Sequence, residues 1–393
     1  MNEHKKSGFW DRAIHNLRHA WNKMGSPDDY FSNATFSPDL CDSDRERLIH
    51  QMQACLEARG GEVSARSRAA ALGHAYLALN ENGRIRFLGV LTREFGPEYR
   101  AVDAAVVNLQ QASGPVARMT AERTLRKSLE APRTRLLTQF NALPEGVKFL
   151  VDMRAELIPW VGHDEALTDI EADLKTLLTS WFDVGFLELK QITWTASASL
   201  LEKLFFYEAV HKIKSWDDLK NRLASDRRCF AFFHPRMPEQ PLIFVWVALV
   251  EGMATNIQEL LDERVPIQEA DRADTAIFYS ISNTQAGLTG INFGNFLIKR
   301  VVDNLSREFK GIKKFATLSP IPGFMSWLRN NLDDEHLSFL TSEQNENLNN
   351  LTSKSTPKAS LVYLLGKTQW STNSQAKEAL EPILLRLAAH YLT

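Results

Sequence analysis

The spacing of apolar residues differs between the two halves of the chain. Up to about residue 180, apolar residues recur every three or four positions, as they do along one face of a helix. The run at 42–61 shows the pattern well, because it begins Asp-Ser, which suits a helix N-cap, and ends with a glycine pair. Further helical runs cover 116–130, 133–142, 145–159 and 165–182. The first half is therefore predicted to be all-α.

After Trp181 the apolar runs become short and rich in β-branched and aromatic residues, which is typical of strands. Five strands are predicted, at 186–194, 227–235, 242–250, 275–282 and 313–319. The second and third are separated only by RMPEQP, so they are predicted to be antiparallel neighbours. The third, LIFVWVALV, is much shorter than the roughly 20 residues that a membrane span needs, and it is interpreted as a buried strand. Helical segments between several strands indicate an α/β domain on a mixed sheet.

The fourth predicted strand leads through a glycine-containing loop directly into an amphipathic helix. The stretch reads TAIFYSISNTQAGLTGINFGN at 275–295 and continues FLIKRVVDNLSREF. A helix that begins near Asn292 would leave its first N–H groups unpaired, and Gly290 and Gly294 would let an anion approach them. A tight strand-to-helix turn without a ligand explains the same glycines. One apolar face is predicted for this helix, formed by Phe293, Leu297, Val301, Leu305 and Phe309.

Spacing excludes two nucleotide-binding signatures. Gly287, Gly290 and Gly294 fit neither the G-x-G-x-x-G fingerprint of dinucleotide folds nor a P-loop. A second candidate, Gly366-Lys367-Thr368, has Leu361 where a P-loop requires its first glycine. A phosphate group held by the loop would therefore be bound in some other way.

Composition and charge limit the classes of partner and the cellular compartment that the sequence indicates. The formal net charge is −2, from 46 basic and 48 acidic residues, so nothing indicates nucleic-acid binding. The 3 cysteines form no C-x-x-C pair, which favours a reducing compartment, and the cytoplasm is predicted. An amphipathic segment at 9–24 is interpreted as a docking helix, since Glu3 and Asp11 argue against a presequence. His15 and His19 are four residues apart but lack a third ligand, so no metal site is predicted.

The loop and its flanks also carry a family resemblance. QAGLTGINFGNFLI resembles the acyl-CoA pyrophosphate loop of the GNAT N-acetyltransferase superfamily. FYSISNTQAGLTGINFGNFLIKRVV, together with EFKGIKKFATLSPIPGF, is similar to the malonyl-CoA decarboxylase family. The similarity includes RRCFAFFHPRMPEQPLIFVWVAL, EVSARSRAAALGHAYLAL and PRTRLLTQFNALPEGVKFLVDMRAEL. It therefore extends from about residue 60 to the C-terminus and covers both halves.

The resemblance implies an α+β protein with an N-terminal all-α domain and a GNAT-like α/β domain on a mixed, mostly antiparallel sheet. Residues 1–40 would be an amphipathic segment and linker, 41–180 a helical domain that forms a homo-oligomer, and 181–393 the acyl-CoA-binding catalytic domain. The implied reaction converts malonyl-CoA to acetyl-CoA and carbon dioxide. No metal, no organic cofactor, no nucleic acid and no membrane is expected as a partner.

The resemblance also implies a set of site residues. The loop would hold the CoA phosphates through Thr289, Gly290, Ile291, Asn292, Phe293, Gly294 and Asn295. Ser319, in LSPIPGF, would be the catalytic serine, although it could instead cap a helical turn at 323–330. Ser280 matches a family position near the thioester, which would give it a role in the site. Alternatively, its hydroxyl only forms a hydrogen bond with the backbone, as buried strand serines do. His234 could act in proton transfer at the same end of the sheet or be a buried structural histidine.

One departure from the family is expected to bear on catalysis. The family continues for several dozen residues past the match to EALEPILLRLAAHYLT and includes a proton-donating histidine in a Phe-His-Leu setting, which has no counterpart here. The catalytic domain is thus expected to be C-terminally incomplete, so a fragment, an inactive chain and a rewired site compete as explanations. His390 is the nearby histidine, but its surroundings do not match. A GNAT-type acyltransferase and a non-catalytic CoA-binding or assembly protein are the alternative functions.

Overall fold

A computed structural model describes residues 36–57, 61–254, 256–331, 340–352, 354, 356–366, 370 and 373–393. The chain divides into two units, one up to Leu318 and one from Ser319. The helix predicted at 9–24, with His15 and His19, lies outside the described residues. Among the residues that are described, no helix has both the length and the apolar character needed to cross a membrane.

Helices alone make up the described chain as far as Trp181, as predicted. They are α1 (Asp42–Leu56), α2 (Gly61–Ala78), α3 (Glu81–Glu94), α4 (Tyr99–Gln111), α5 (Pro115–Ser128), α6 (Pro132–Asn141), α7 (Gly146–Val161) and α8 (Ala166–Trp181). The prediction omitted α4, in which Ala105 is buried and Val102 and Leu109 are half-buried on the same side. In contrast, α7 is buried along most of its length and lies at the centre of the helical core.

The rest of the first unit is built on a five-stranded sheet. Its strands are β1 (Glu188–Ile192), β2 (Arg227–His234), β3 (Met237–Val250), β4 (Thr275–Asn283) and β5 (Lys314–Thr317). They lie side by side in sequence order, and only β4 and β5 are parallel. The prediction of a mixed, mostly antiparallel sheet is therefore confirmed. Four helices accompany it, α9 (Ala198–Tyr207), α10 (Trp216–Asn221), α11 (Ile257–Leu260) and α12 (Gly294–Glu308).

The two faces of the sheet are both buried but face different neighbours. One face carries Phe230, Phe232 and Val245 and shares a core with α12 and the N-terminal helices. The other carries Phe233, Phe244 and Trp246 and packs against residues of α9 and α10. Burial on both sides accounts for the uninterrupted apolar run of β3, which a half-exposed strand would not show.

Strands β4 and β5 separate part-way along β4. Their pairing ends with Phe278 opposite Thr317, and the Leu318 N–H then donates to the Phe278 carbonyl at 2.8 Å. The register of β3 and β4 also shifts here, since Trp246 lies opposite Ser280 and Val247 opposite Phe278. This β-bulge inserts Tyr279 as an extra residue. Beyond the bulge, β4 keeps β3 on one side and has lost β5 on the other.

The second unit is helical in its described part. Its helices are α13 (Phe324–Asn331), α14 (Ser342–Leu351), α15 (Pro357–Gly366) and α16 (Ser374–Leu392). Leucines and one isoleucine form its core, namely Leu328, Leu348, Leu361, Leu364, Leu380, Ile383 and Leu387. A reciprocal capping box between Thr341 and Gln344 starts α14. His390, on α16, is exposed and has its ring 6.1 Å from that of Trp327.

Candidate functional site

The glycine loop joins the end of β4 to α12 as a strand–loop–helix unit. A short 3₁₀ turn at Ala286–Leu288 follows β4, and α12 begins at Gly294, two residues later than predicted. The helix has no side-chain cap at Phe293, so its first N–H groups have no acceptor there. Gly290 has a φ of +79°, a left-handed conformation that favours glycine. The predicted apolar face of α12 is confirmed, because all five of its residues are buried.

Helix α7 of the helical half holds this loop in place. The guanidinium of Arg154, which is only 2% exposed, donates from Nη1 to the carbonyls of Gly287 at 2.6 Å and Thr289 at 3.0 Å. Its Nε and Nη2 donate to Oε1 of Glu171 on α8, at 3.0 and 2.6 Å. A β-carbon at Gly287 would lie 1.8 Å from the Val151 carbonyl oxygen, so the loop backbone packs directly on α7. The helical half is thus part of the site.

A lysine of the helical half faces the exposed side of the loop. A β-carbon at position 290 would lie 3.3 Å from the Nζ of Lys175 on α8. Among the described residues, Lys175 forms no ion pair, and its side chain is exposed. The ammonium therefore adds positive charge beside Gly290, in the loop that leads to the positive end of the α12 dipole.

A cavity of about 390 Å³ opens beside the loop. Its walls come from α7, α9, the end of β4 and the loop, and consist of Asp152, Ala155, Phe206, Tyr207, Asn283, Thr284, Gln285, Ala286 and Thr289. Burial raises the pKa of Asp152, and the ion pair with Lys148 offsets part of that shift. The walls are otherwise amide, hydroxyl and aromatic groups, so the cavity has no positive side chain to receive a phosphate.

Ser280 is buried on the strand that leads into the loop. Its Oγ donates to Oε1 of Glu208 at 2.7 Å, so its partner is a side-chain carboxylate and not the backbone group that was considered. Glu208 follows α9 and also accepts hydrogen bonds from Trp246, Ser282 and two backbone N–H groups. No local pattern in the sequence links the members of this pair, which are 72 residues apart.

His234 has both ring nitrogens in hydrogen bonds with the backbone. Its Nε2 lies 3.1 Å from the Trp181 carbonyl, and its Nδ1 accepts from the Arg236 N–H at 3.1 Å. Burial lowers the pKa of His234, while the hydrogen bond to Trp181 works in the opposite direction. These contacts give His234 a structural role at the end of β2. They leave neither ring nitrogen without a partner, and proton transfer by His234 stays a prediction.

His211 was overlooked in the sequence. Its backbone N–H donates to Glu208 at 2.7 Å, and in the described structure its Nε2 is buried without a hydrogen-bond partner. Burial lowers the pKa of His211, although Glu208 raises it in part. Within the described ranges, no cluster of three or more His, Cys, Asp or Glu side chains could hold a metal ion.

Ser319 is exposed and begins the second unit. The helix that it might have capped, α13, starts at Phe324, and the Trp327 N–H donates to the Gly323 carbonyl at 2.8 Å. Gly323 therefore occupies the N-cap position. Capping does not account for Ser319, and its catalytic role stays a prediction.

Comparison with known proteins gives matches in both halves of the chain. Residues 185–393 match the Malonyl-CoA decarboxylase C-terminal domain, and residues 95–182 match the Malonyl-CoA decarboxylase N-terminal domain. A mitochondrial malonyl-CoA decarboxylase of Rattus norvegicus is 37% identical over 329 residues, covering 79% of this chain and 66% of the relative. The enzyme of Anser anser anser is 35% identical over 325 residues, covering 79% and 64%. The chain thus spans slightly less than two thirds of these curated relatives.

Solved structures agree with the sequence matches. The crystal structure of malonyl-CoA decarboxylase from Rhodopseudomonas palustris superposes with a TM-score of 0.76 at 39% identity, over 88% of this chain and 80% of that one. The structure from Agrobacterium vitis gives the same TM-score of 0.76, the same 39% identity and the same coverage.

Proposed function

Because the chain belongs to the malonyl-CoA decarboxylase family, we propose that it converts malonyl-CoA to acetyl-CoA and carbon dioxide. The observation that carries the proposal is the loop at the start of α12, which is anchored by Arg154 and faced by Lys175. N–H groups of a helix start that has no side-chain cap, the helix dipole and an ammonium without an ion pair in the described chain are features that bind phosphate. In this proposal the loop from Thr289 to Asn295 binds the phosphates of CoA.

The charge of the cavity walls suggests how the rest of the ligand lies. Asp152 is paired with Lys148, and the amide, hydroxyl and aromatic groups of the other walls suit the uncharged pantetheine arm of CoA better than a phosphate. Because Thr289 belongs both to the loop and to the cavity wall, one ligand can occupy both. The phosphates would then lie on the Lys175 side of the loop and the pantetheine arm on the Asp152 side.

The chemistry requires only groups that the substrate and a protein provide. The bond between C2 and the carboxyl carbon breaks, carbon dioxide leaves, and the electron pair moves through C2 into the thioester carbonyl to form an enolate. A proton added to C2 then gives acetyl-CoA. Since the thioester carbonyl takes up the charge, the protein's tasks are to orient the carboxylate, stabilise the enolate oxygen and deliver the proton. We assign Ser319 to hydrogen bonding or proton transfer at the malonyl group.

Turnover of malonyl-CoA tests the proposal directly. Purified protein is incubated with malonyl-CoA, and acetyl-CoA and carbon dioxide are expected in equal amounts. An acyltransferase would consume acetyl-CoA only when an amine acceptor is present, and a non-catalytic binding protein would bind CoA thioesters without product. Either of these two results would overturn the proposed decarboxylation.

The compartment is a separate proposal. Cys55 and Cys229 are buried free thiols and Cys41 is a partly buried one, which supports a reducing environment such as the cytoplasm. The curated relatives of Rattus norvegicus and Anser anser anser are named as mitochondrial. Fractionation of the source cells, with detection of the protein in each fraction, decides the location.

A further inference from the structure

Three polar side chains in the wall of the cavity beside the loop have already used their protons within the protein. Gln285 donates both amide protons from Nε2, one to the Pro241 carbonyl at 3.0 Å and one to Thr284 Oγ1 at 3.1 Å. The Thr284 hydroxyl donates to the same carbonyl, and Thr289 Oγ1 donates to the Ala286 carbonyl at 2.7 Å. The amide keeps its oxygen and the hydroxyls keep lone pairs, so these side chains offer acceptors.

Asp152 is a fourth acceptor in the same wall, and it carries a charge. Its Oδ1 accepts from Nζ of Lys148, which lies one turn earlier on α7 and is only 4% exposed. Its Oδ2 has no hydrogen bond in the described chain, and it is not sealed inside the protein as an unsatisfied buried atom would be. Because Lys148 can only donate, it holds Oδ1 in place and leaves Oδ2 accessible from the cavity.

A wall of acceptors favours a ligand that brings its own N–H groups. The phosphates of CoA are ionised and offer only acceptors, whereas the pantetheine arm carries two amides, each with an N–H donor. Asn283, which is exposed in the same wall, has an amide that can donate to the carbonyls of the arm. The cavity volume of about 390 Å³ lies within the usual range for a small-molecule site.

We propose that Oδ2 of Asp152 accepts a hydrogen bond from an amide N–H of the pantetheine arm, and that Lys148 is the positioning residue that orients this carboxylate. The inference rests on the proposed function, which places an acyl-CoA beside the loop. The acceptor character of the wall is a separate observation, since it follows from the hydrogen bonds of Gln285, Thr289 and Asp152. Asp152 thus makes the cavity specific for an acyl carrier that contains amides.

Asp152→Asn tests the acceptor role, because Lys148 determines which way the new amide faces. The amide oxygen stays beside the lysine, so the NH₂ group points into the cavity and meets the N–H of the ligand. Calorimetry with acetyl-CoA is expected to show binding weakened by about fivefold to tenfold in Asp152→Ala, which only removes the acceptor. Asp152→Asn is expected to bind about threefold more weakly still. Tighter binding by Asp152→Asn than by Asp152→Ala would overturn the inference, and so would wild-type affinity in either variant.

Two further variants separate recognition from stability, and all are compared at a temperature at which circular dichroism shows them folded. In Lys148→Met/Asp152→Asn the amide can turn its oxygen to the ligand, so affinity is expected to recover to within about threefold of the wild type. No recovery would overturn the role of Lys148. Glu156→Gln is the matched control, because Glu156 lies one turn later on α7, pairs with Arg84 and is not part of the described wall. A loss as large as that of Asp152→Asn in this control would contradict the inference.

A second ligand keeps this inference apart from the proposed reaction. The nucleotide of CoA without its pantetheine arm, 3′-phospho-ADP, is expected to bind the wild type and all variants equally. Tighter binding of this nucleotide by Asp152→Asn would place a phosphate beside Asp152 and overturn the inference, as would equal weakening for both ligands. The expected binding pattern without carbon dioxide release from malonyl-CoA by the wild type would overturn the decarboxylase proposal alone. Normal turnover with unchanged binding in the Asp152 variants would overturn the role of Asp152 alone.

Discussion

At the scale of single residues, the ammonium of Lys175 offers the most direct test of the phosphate loop. It is exposed beside Gly290, without a carboxylate partner in the described chain, so its charge is available to a ligand. We expect Lys175→Met to weaken binding of CoA by about threefold to tenfold and to reduce the salt dependence of binding, while kcat stays unchanged. Titration calorimetry at two salt concentrations measures both effects. Lys377→Met, at an exposed position on α16, serves as the control, and an equal loss in both variants would contradict the assignment.

Ser319 is expected to act on the reaction and not on binding. Ser319→Ala should lower kcat for malonyl-CoA by about a hundredfold, which is typical for loss of one group that stabilises a transition state. The Kd for CoA should change by less than about threefold, because CoA alone lacks the malonyl group. Ser326→Ala, at an exposed position on α13, is the matched control. A variant of Ser319 with normal turnover would remove this residue from the mechanism.

The same residues show where sequence reasoning succeeds and where it stops. Ser280 was singled out by the family resemblance and its role stays a prediction, whereas its partner Glu208 lies 72 residues away and no local pattern links the two. Arg154 was part of a quoted segment, yet its contact with Gly287 spans 133 residues. Short motifs identify side chains, whereas hydrogen-bond partners that decide whether a hydroxyl donates or accepts depend on the fold.

At the scale of elements, periodicity predicted whether a segment is a helix or a strand more reliably than it predicted the segment's first and last residues. Strand β2 begins at Arg227 as predicted, but β3 begins at Met237, five residues before the predicted start at 242. Pro238 and Pro241 argued against a strand there, because proline cannot donate to a sheet ladder. The hairpin accommodates them with register shifts on either side of Phe233. Helix α4 was missed although its apolar residues recur at helical spacing, with Val102, Ala105 and Leu109 on one side.

The first turn of α1 gives an element-scale prediction about pH. Burial opposes ionisation of Asp44, but hydrogen bonds from Ser37, Arg47 and Cys41 outweigh it and lower the pKa of Asp44 to about 2 from its usual 3.8. A carboxylate with a depressed pKa contributes stability above its unfolded pKa and loses that contribution as the pH falls through the folded value. The stability due to Asp44 should therefore be complete above pH 3.8 and disappear on acidification towards about pH 2.

Asp44→Asn tests this contribution. The variant is expected to lose about 1–2 kcal/mol of unfolding free energy at neutral pH, a typical loss for a buried hydrogen-bonded carboxylate. The difference from the wild type should shrink as the pH is lowered from 3.8 towards 2, as measured by urea unfolding at a series of pH values. Asp42→Asn changes an exposed carboxylate in the same turn and should have little effect. A difference that does not vary with pH would contradict the role given to Asp44.

At the scale of the whole molecule, the proposed binding loop is held by the helical half of the chain. The loop that follows β4 is held by Arg154 of α7 and faced by Lys175 of α8, both of which precede the predicted domain boundary at 180. A chain that begins at 181 would lack these supports. The predicted domains assigned oligomerisation to 41–180 and ligand binding to 181–393. In the proposed site, helices of the first range also support the binding loop.

Self-association is the property of the whole molecule that the helical half makes testable. Helices α4 and α5 pack on each other, Ala105 and Ala121 are buried, and each helix leaves large apolar side chains in solvent. On α5, Val116 is 74% exposed and Met119 is 51% exposed. Three further apolar residues nearby in the sequence are also exposed, namely Tyr99, Val107 and Leu129. Apolar side chains exposed together on adjacent helices are typical of a surface that is covered by another subunit. We therefore propose that the hairpin of α4 and α5 joins copies of this chain into the homo-oligomer.

Two charged substitutions test that proposal against a matched control. The wild type is expected to have the mass of an oligomer in size-exclusion chromatography with multi-angle light scattering. Val116→Glu/Met119→Glu should shift it to a monomer, because burying two carboxylates in an apolar interface costs several kcal/mol. Leu385→Glu introduces the same charge at a leucine that is 66% exposed on α16, and it should leave the mass unchanged. A monomeric wild type, or an oligomer that survives both charges on α5, would show that this hairpin is not the interface.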